Sequence, residues 1–172
     1  MPSKKQYGWL KELEHRPLNL RIYPDPVLRQ ASRSVDIFNP VLEDFIADML
    51  AVMRAHKGIG LAAPQVGILL RIIAADIGQG PVCVVNPRIT HGVGNDVMAE
   101  GCLSVPGVQV NVRRDTKVEV RGKDARGKEA HLEAEGLLAR VLQHEIDHLK
   151  GVLICDYGPP IAPEEFEHDL YP

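Results

Sequence analysis

The amino-acid sequence predicts an α+β fold, with mixed and antiparallel strands lying between two helices. Three observations carry the prediction. Apolar residues recur at helical spacing over about 40–56 and again over about 136–150, and the stretch between them is a series of short β-prone runs cut by Gly, Pro and Asp. Helix, then several strands, then helix is the order of an α+β chain rather than of a wound βαβ sheet. With 172 residues, 45% apolar and 25% charged, the chain suits a single domain over 1–172 whose core needs no staples.

Each element follows in order. Residues 1–20 are polar and mixed, with Trp9 and Leu10 able to cap a core edge. Tyr23-Pro24-Asp25-Pro26 reads as a turn or an extended lead-in. In the first helix Leu42, Phe45, Ile46, Met49, Leu50 and Met53 fall at helical spacing, Pro40 suits the first turn and Gly58 the stop. Residues 68–75 (ILLRIIAA) and 82–86 (VCVVN) read as strands, and 108–112 and 116–121 alternate apolar with polar. The segment 123–127 (KDARG) reads as a hairpin turn leading into 128–134. The second helix runs over about 136–150 and stops at Gly151. Its residues Arg140, Gln143, Asp147 and Lys150 read as a solvent stripe. The opposite side carries Leu137, Val141, His144 and His148 in one row and Leu138, Leu142, Glu145 and Leu149 in the next. Pro159, Pro160, Pro163 and Pro172 argue against a long regular helix in the tail, 157–172.

Composition excludes several classes. No run approaches the ~18 apolar residues of a membrane-spanning helix. The N-terminal MPSKKQYGWLKELEHRP carries acids and no apolar h-region, so it reads as neither a secretory signal nor a transit peptide, and the expectation is a cytoplasmic protein. A net charge of -3 argues against nucleic acid as a general partner. Three cysteines with no secretory signal argue against a disulfide framework. Cys83 and Cys155, each among apolar neighbours, read as inert core thiols, whereas Cys102, in Glu-Gly-Cys-Leu-Ser, stands apart.

His144-Glu145-Ile146-Asp147-His148 is an H-E-x-x-H motif on the second helix. Residues four apart share a helix face, so both imidazoles can reach one cation, and Glu145 can lean over the site and take a proton from water. Two histidines sharing a helix by chance are the bland alternative. Placement of all three on the face that apolar residues mark as buried favours the metal, because burying such groups is costly unless they are paired or bound. A third ligand is required. The extension H-E-x-x-H-x-x-G-x-x-H matches through Gly151 but then meets Ile154. A downstream glutamate, Glu164, Glu165 or Glu167, would need a helix that the prolines disfavour, and Cys102 remains as a soft thiolate candidate. The segment 58–65 (GIGLAAPQ) is a small-residue loop that lacks the Lys-Ser/Thr of a P-loop. It does not match G-x-G-x-x-G either, because Ala63 stands at the third glycine. By itself it reads equally as a ligand-approach loop or a tight connection.

Taken together, 58–65 (GIGLAAPQ), 100–104 (EGCLS) and 143–148 (QHEIDH) resemble the three motifs of the peptide deformylases, in that family's order, and the similarity extends from about Leu20 to Tyr157. The resemblance implies a fold with the H-E-x-x-H helix central and mixed sheets around it. It implies hydrolytic removal of the formyl group from nascent chains that begin with formyl-methionine. It also implies Cys102, His144 and His148 as metal ligands, Glu145 as acid and base, and Gln65 with the backbone N–H of Leu103 as oxyanion donors. The implied ion is Fe²⁺ in the cell, replaceable by Ni²⁺, Co²⁺ or Zn²⁺, and transient ribosome contact is implied as well. Ile59, Gly60, Met98 and Val141, adjacent to the motifs, are candidates for substrate binding: a methionine pocket, with strand-like pairing to the peptide near Gly60. Against compact bacterial members, 1–20 is an N-terminal extension and 157–172 a proline-rich tail. Arg140 replaces an apolar residue of some members, which predicts a different pocket wall there. Glu100 and Arg114 pair either behind the Cys102 loop or on the surface. Another H-E-x-x-H metallopeptidase and a catalytically inactive binding homologue are the competing readings. Cys102 as a ligand speaks against the first and an intact Glu145 against the second.

Overall fold

Alternation along the strands decides the architecture. In the computed structural model, which describes residues 8–13 and 17–162, neighbouring residues of the central strands point into two different cores. Leu61, Ile72 and Val85 pack with one apolar cluster, and Ala62, Ile73 and Val84 with another. A sheet buried on both faces needs a cover on each side. The first cover is α2 (Pro40–Ala55), through Leu42, Phe45, Ile46, Met49 and Met53. The second is α3 (Gly136–His148), through Ala139, Val141, Leu142 and Ile146. A short N-terminal helix, α1 (Leu10–Leu13), adds Trp9 and Leu13 to the α2 side.

The sheet between the helices is antiparallel, in the order β1-β2-β3-β6-β7. Its strands are β1 (Gly60–Ala62), β2 (Ile72–Ala75), β3 (Val82–Val93), β6 (Lys117–Lys123) and β7 (Glu129–Glu135). The remaining strands, β4 (Asp96–Cys102) and β5 (Val105–Arg114), form a separate two-stranded ribbon with a small cluster of Val105, Val110, Val112 and Ile154. A single parallel bridge, Arg33 to Leu70, lies outside the named strands.

The first helix ends close to its expected limits, with Asn39 accepting from the Leu42 N–H at 3.1 Å and Pro40 in the first turn. The hairpin at 123–127 closes on Asp124, whose side chain accepts from Arg126 and Lys128. Gly151 ends α3 at φ 75, where an added Cβ would meet the Arg29 backbone. Other expectations are corrected. Only 72–75 of the run 68–75 is strand, and the small-residue segment forms β1 and a 3₁₀ turn, Ala63–Val66. β3 continues to Val93, and β4 was not expected at all. Cys155 is half-buried rather than in the core, its Sγ 3.5 Å from an Arg29 guanidinium nitrogen. The prolines of the tail beyond 162, and much of the segment 1–20, lie outside the described residues.

Candidate active site and metal centre

Helix α3 is covered on nearly every side from Ala139 to Leu149. The expected solvent stripe is therefore met only at Lys150, which is exposed: Arg140 is 5% exposed and Gln143 8%, Asp147 is half-buried, and Leu137, expected inside, is 48% exposed. The reason is polar satisfaction. Gln143 bonds the Asp115 backbone through both ends of its amide, and Arg140 is held by carboxylates and a carbonyl of the ribbon. The spacing carried the signal, since Arg140, His144 and His148 are each four apart on one face.

His144 and His148 present Nε2 atoms 3.2 Å apart, and His148 Nε2 is 3.4 Å from Cys102 Sγ, at the end of β4. All three donor atoms fall within 4.8 Å of one another. Ligands 2.0–2.3 Å from a tetrahedral ion would stand roughly 3.3–3.6 Å apart, so the sulfur and two imidazoles fit a divalent transition metal in both chemistry and spacing. His144 Nδ1 donates to Glu100 Oε2 at 2.9 Å, which orients the ring and leaves Nε2 for the ion. A second group, Glu119, His131 and Glu133, also has close donor atoms, but it sits on the outer face of β6 and β7, where His131 Nε2 lies 3.5 Å from a Glu119 carboxylate oxygen across the strands.

Glu100 and Arg114 pair inside the protein, with two bonds of 3.0 Å and side chains 5% and 4% exposed. Burial pushes the Glu100 carboxyl up, but hydrogen bonds from His144 and Arg114 outweigh it and hold it at about 2. Burial likewise opposes the charged form of His144, yet its bonds to Cys102 and Glu100 raise it to about 10, so a metal entering here displaces a proton. His148 is held neutral, lowered by burial and then by His144 and Arg114. Glu145 is pushed up by burial to about 7, where a carboxyl exchanges protons readily at neutral pH. Its Oε2 is buried without a hydrogen-bond partner among the described residues.

Gln65 is anchored by its own loop. Its Oε1 accepts the Ala62 N–H at 2.8 Å, which turns Nε2 toward Ser104 Oγ at 3.1 Å and Cys102 Sγ at 3.7 Å. Leu103 occupies the turn between β4 and β5, which is tied down by the Tyr23 N–H on the Ser104 carbonyl. These groups open on a cavity of about 620 Å³ whose walls include Ile59, Gly60, Met98, Leu103, Val141 and Glu145. Ile59 and Met98 are 44% and 49% exposed, an uncovered apolar rim beside the polar groups of Gln65 and Glu145. Arg140 lines the same cavity, on the wall where the resemblance predicts a difference, and so does Leu137, which the helical spacing places in the core instead.

Two buried histidines and a half-buried cysteine with converging donor atoms, together with a glutamate and an amide facing one cavity, define a metal-dependent hydrolase. The family model described as polypeptide deformylase matches residues 17–164, and the chain belongs to that family. The chain is 44% identical over 154 residues to a peptide deformylase of Thermodesulfovibrio yellowstonii, covering 87% of this chain and 93% of that protein. It is 50% identical over 137 residues to one of Caldicellulosiruptor bescii, covering 80% and 82%. Among solved structures, the Thermotoga maritima peptide deformylase superposes with TM-score 0.81 at 43% identity, over 85% of this chain and all of that one (100%). The Synechococcus elongatus enzyme in complex with actinonin gives 0.80 at 42% identity, over 91% and 86%. The activity is the removal of N-terminal formyl groups by hydrolysis, and neither a different H-E-x-x-H peptidase nor an inactive homologue is favoured. Among the described residues, no helix is long and apolar enough to cross a membrane.

Proposed function

We propose that Cys102, His144 and His148 hold one divalent ion, Fe²⁺ in the cell with Ni²⁺, Co²⁺ or Zn²⁺ as replacements, and that the substrates are nascent chains beginning with formyl-methionine. The observation that carries this reading is the approach of Cys102 Sγ, from a separate ribbon, to 3.4 Å from His148 Nε2. When bound, the ion supplies Lewis acidity and makes water a better nucleophile at neutral pH. The chain's residues do the rest. Glu145 takes a proton from water as its oxygen bonds to the formyl carbon. Gln65 Nε2 and the Leu103 N–H donate to the oxygen on which charge develops; one such donor is worth about 3 kcal/mol in the barrier. Glu145 then gives its proton to the amine nitrogen, the C–N bond breaks, and formate leaves.

Ile59, Met98 and Val141 offer the apolar wall for the methionine side chain, and the backbone at Gly60 an edge for strand-like pairing with the peptide. The reading takes 1–172 as one catalytic domain, with 1–20 an N-terminal extension and 157–172 a proline-rich tail, acting in the cytoplasm with transient contact at the ribosome. The test is formate release from a formyl-Met peptide by anaerobically purified protein, with metal analysis on the same sample. One ion per chain and formate equal to free amine are expected. Cys102→Ala retaining a full equivalent of metal would move the third ligand elsewhere.

A further inference from the structure

The three donor atoms come from two bodies. His144 and His148 ride on the central helix. Cys102 ends β4 on a ribbon whose own apolar cluster contains no residue of α3. A ligand set must be held to roughly 0.5 Å to share an ion, so the ribbon needs a fixed seat against the helix. Buried polar contacts provide one. Arg140, one turn before His144, donates from Nη1 to Glu100 Oε1 and to the Val112 carbonyl, each at 2.8 Å, while its Nη2 pairs with the Asp96 carboxylate. It thus joins α3 to both strands of the ribbon and to both ends of β4. Arg114 reaches the other way, from β5 to Asp147 on α3 at 2.5 Å and to Tyr157 at 3.0 Å, and the two arginines meet on Glu100.

The geometry points to Arg140 as a positioning residue for the metal centre: a clasp that sets the ribbon against α3 and so fixes Cys102 relative to His144 and His148. The inference rests on those three residues being the ligands. A guanidinium spans carboxylate, carbonyl and second carboxylate at once, which a lysine ammonium on its flexible stem does not. A clasp and a mere counter-charge for Glu100 therefore make different predictions for Arg140→Lys.

The test measures Ni²⁺ affinity by chelator competition, and backbone hydrogen exchange of the Ni²⁺-loaded full chain. Variants are Arg140→Met, Arg140→Lys, Asp96→Asn and, as the control on the ligand reading, Cys102→Ala. Both Arg140 variants should bind Ni²⁺ about 10–100-fold more weakly, the usual size of an outer-partner effect. Both should also exchange faster over 96–114 while β2, β3 and β6 keep their parent rates. Asp96→Asn, at a half-exposed side chain, should shift both readouts the same way by less. If Arg140→Met does not fold, Arg140→Lys and Asp96→Asn decide. Affinity within threefold of the parent in the Arg140 variants, full rescue by lysine, unchanged behaviour of Asp96→Asn, or faster exchange spread equally over the five-stranded sheet would each overturn the clasp. Failure of the ligand reading looks different: Cys102→Ala then holds Ni²⁺ as the parent does.

Discussion

Replacing Gly60 by alanine probes how tightly Glu145, the proposed proton carrier, is packed. A methyl group there would overlap Glu145 Oε1 and lie 2.7 Å from Val141 Cγ1 and 2.9 Å from Glu145 Cδ. Carbon contacts are comfortable at about 3.5–4.0 Å, so each neighbour must give way by roughly 1 Å. Val141, stiff at χ1 and 6% exposed, gives little, Glu145 can yield only by swinging into the cavity and out of place, and Gly60 is fixed by strand pairing with Ala75. Overpacking of this kind costs about 1–3 kcal/mol of stability. A misplacement of about 1 Å at a catalytic group costs on the order of 10²-fold in rate. Gly60→Ala should therefore keep its metal, melt several degrees lower, and lose about 10²-fold in kcat for formate release from a formyl-Met peptide. A kcat within threefold of the parent, with full metal, would mean that the Glu145 carboxylate has slack and that its position is not what limits proton transfer.

Further outcomes follow from the same geometry. Glu145→Gln should retain metal and fold while kcat falls by about 10² or more, since only the proton acceptor is removed; measuring kcat and KM separately checks this. Gln65→Leu should lower kcat by about 10²–10³ at unchanged metal content, and a parallel fall in metal would make Gln65 a support of the site instead. Burial pushes the Cys83 thiol from 9.0 up to about 11, with Arg54 opposing, so the unfolded chain ionises first; stability present below pH 9 is lost as pH rises through about 11. Denaturant melts over that range should show a shallower alkaline loss for Cys83→Ala than for the parent, and equal slopes would refute the assignment. In air, the Fe²⁺ form should lose activity and gain oxygen at the Cys102 peptide while the Ni²⁺ form persists, because only iron readily passes an electron to oxygen beside the thiolate; equal survival by activity and mass mapping counts against it.

Much of this was readable in the chain. Helix α2 announces itself because one face meets water, so Leu42, Phe45, Ile46, Met49 and Met53 form a stripe. The H-E-x-x-H motif is local, and four-residue spacing is enough to place both histidines. The misses share a cause: partners distant in sequence. Arg140 looked like a surface residue because its carboxylates, Asp96 and Glu100, lie about forty positions away. The sequence offers Arg114 as a partner for Glu100 but not His144, which shares Glu100 Oε2 with the Arg114 guanidinium. Strand β4 was invisible because Val97 and Met98 are both exposed, so it shows no alternation; β1 is three residues long, too short for any period.

The covering of both sheet faces has a consequence during synthesis. Chains emerge N-terminus first at about 5–20 residues per second. The α2 face can close early, because its helix precedes every strand. The other face, with Ile73, Ala75, Val84, Val118 and Val120, waits for α3, the last of the described α-helices to be made. Between Val118 and His148 lie about thirty residues, a delay on the order of 2–6 s. For that interval a sheet with one bare apolar side is open to water and to neighbouring chains, and docking of the helix that carries both histidines ends the exposure. Docking of α3 thus brings the two histidines to Cys102 and covers this apolar face in one event.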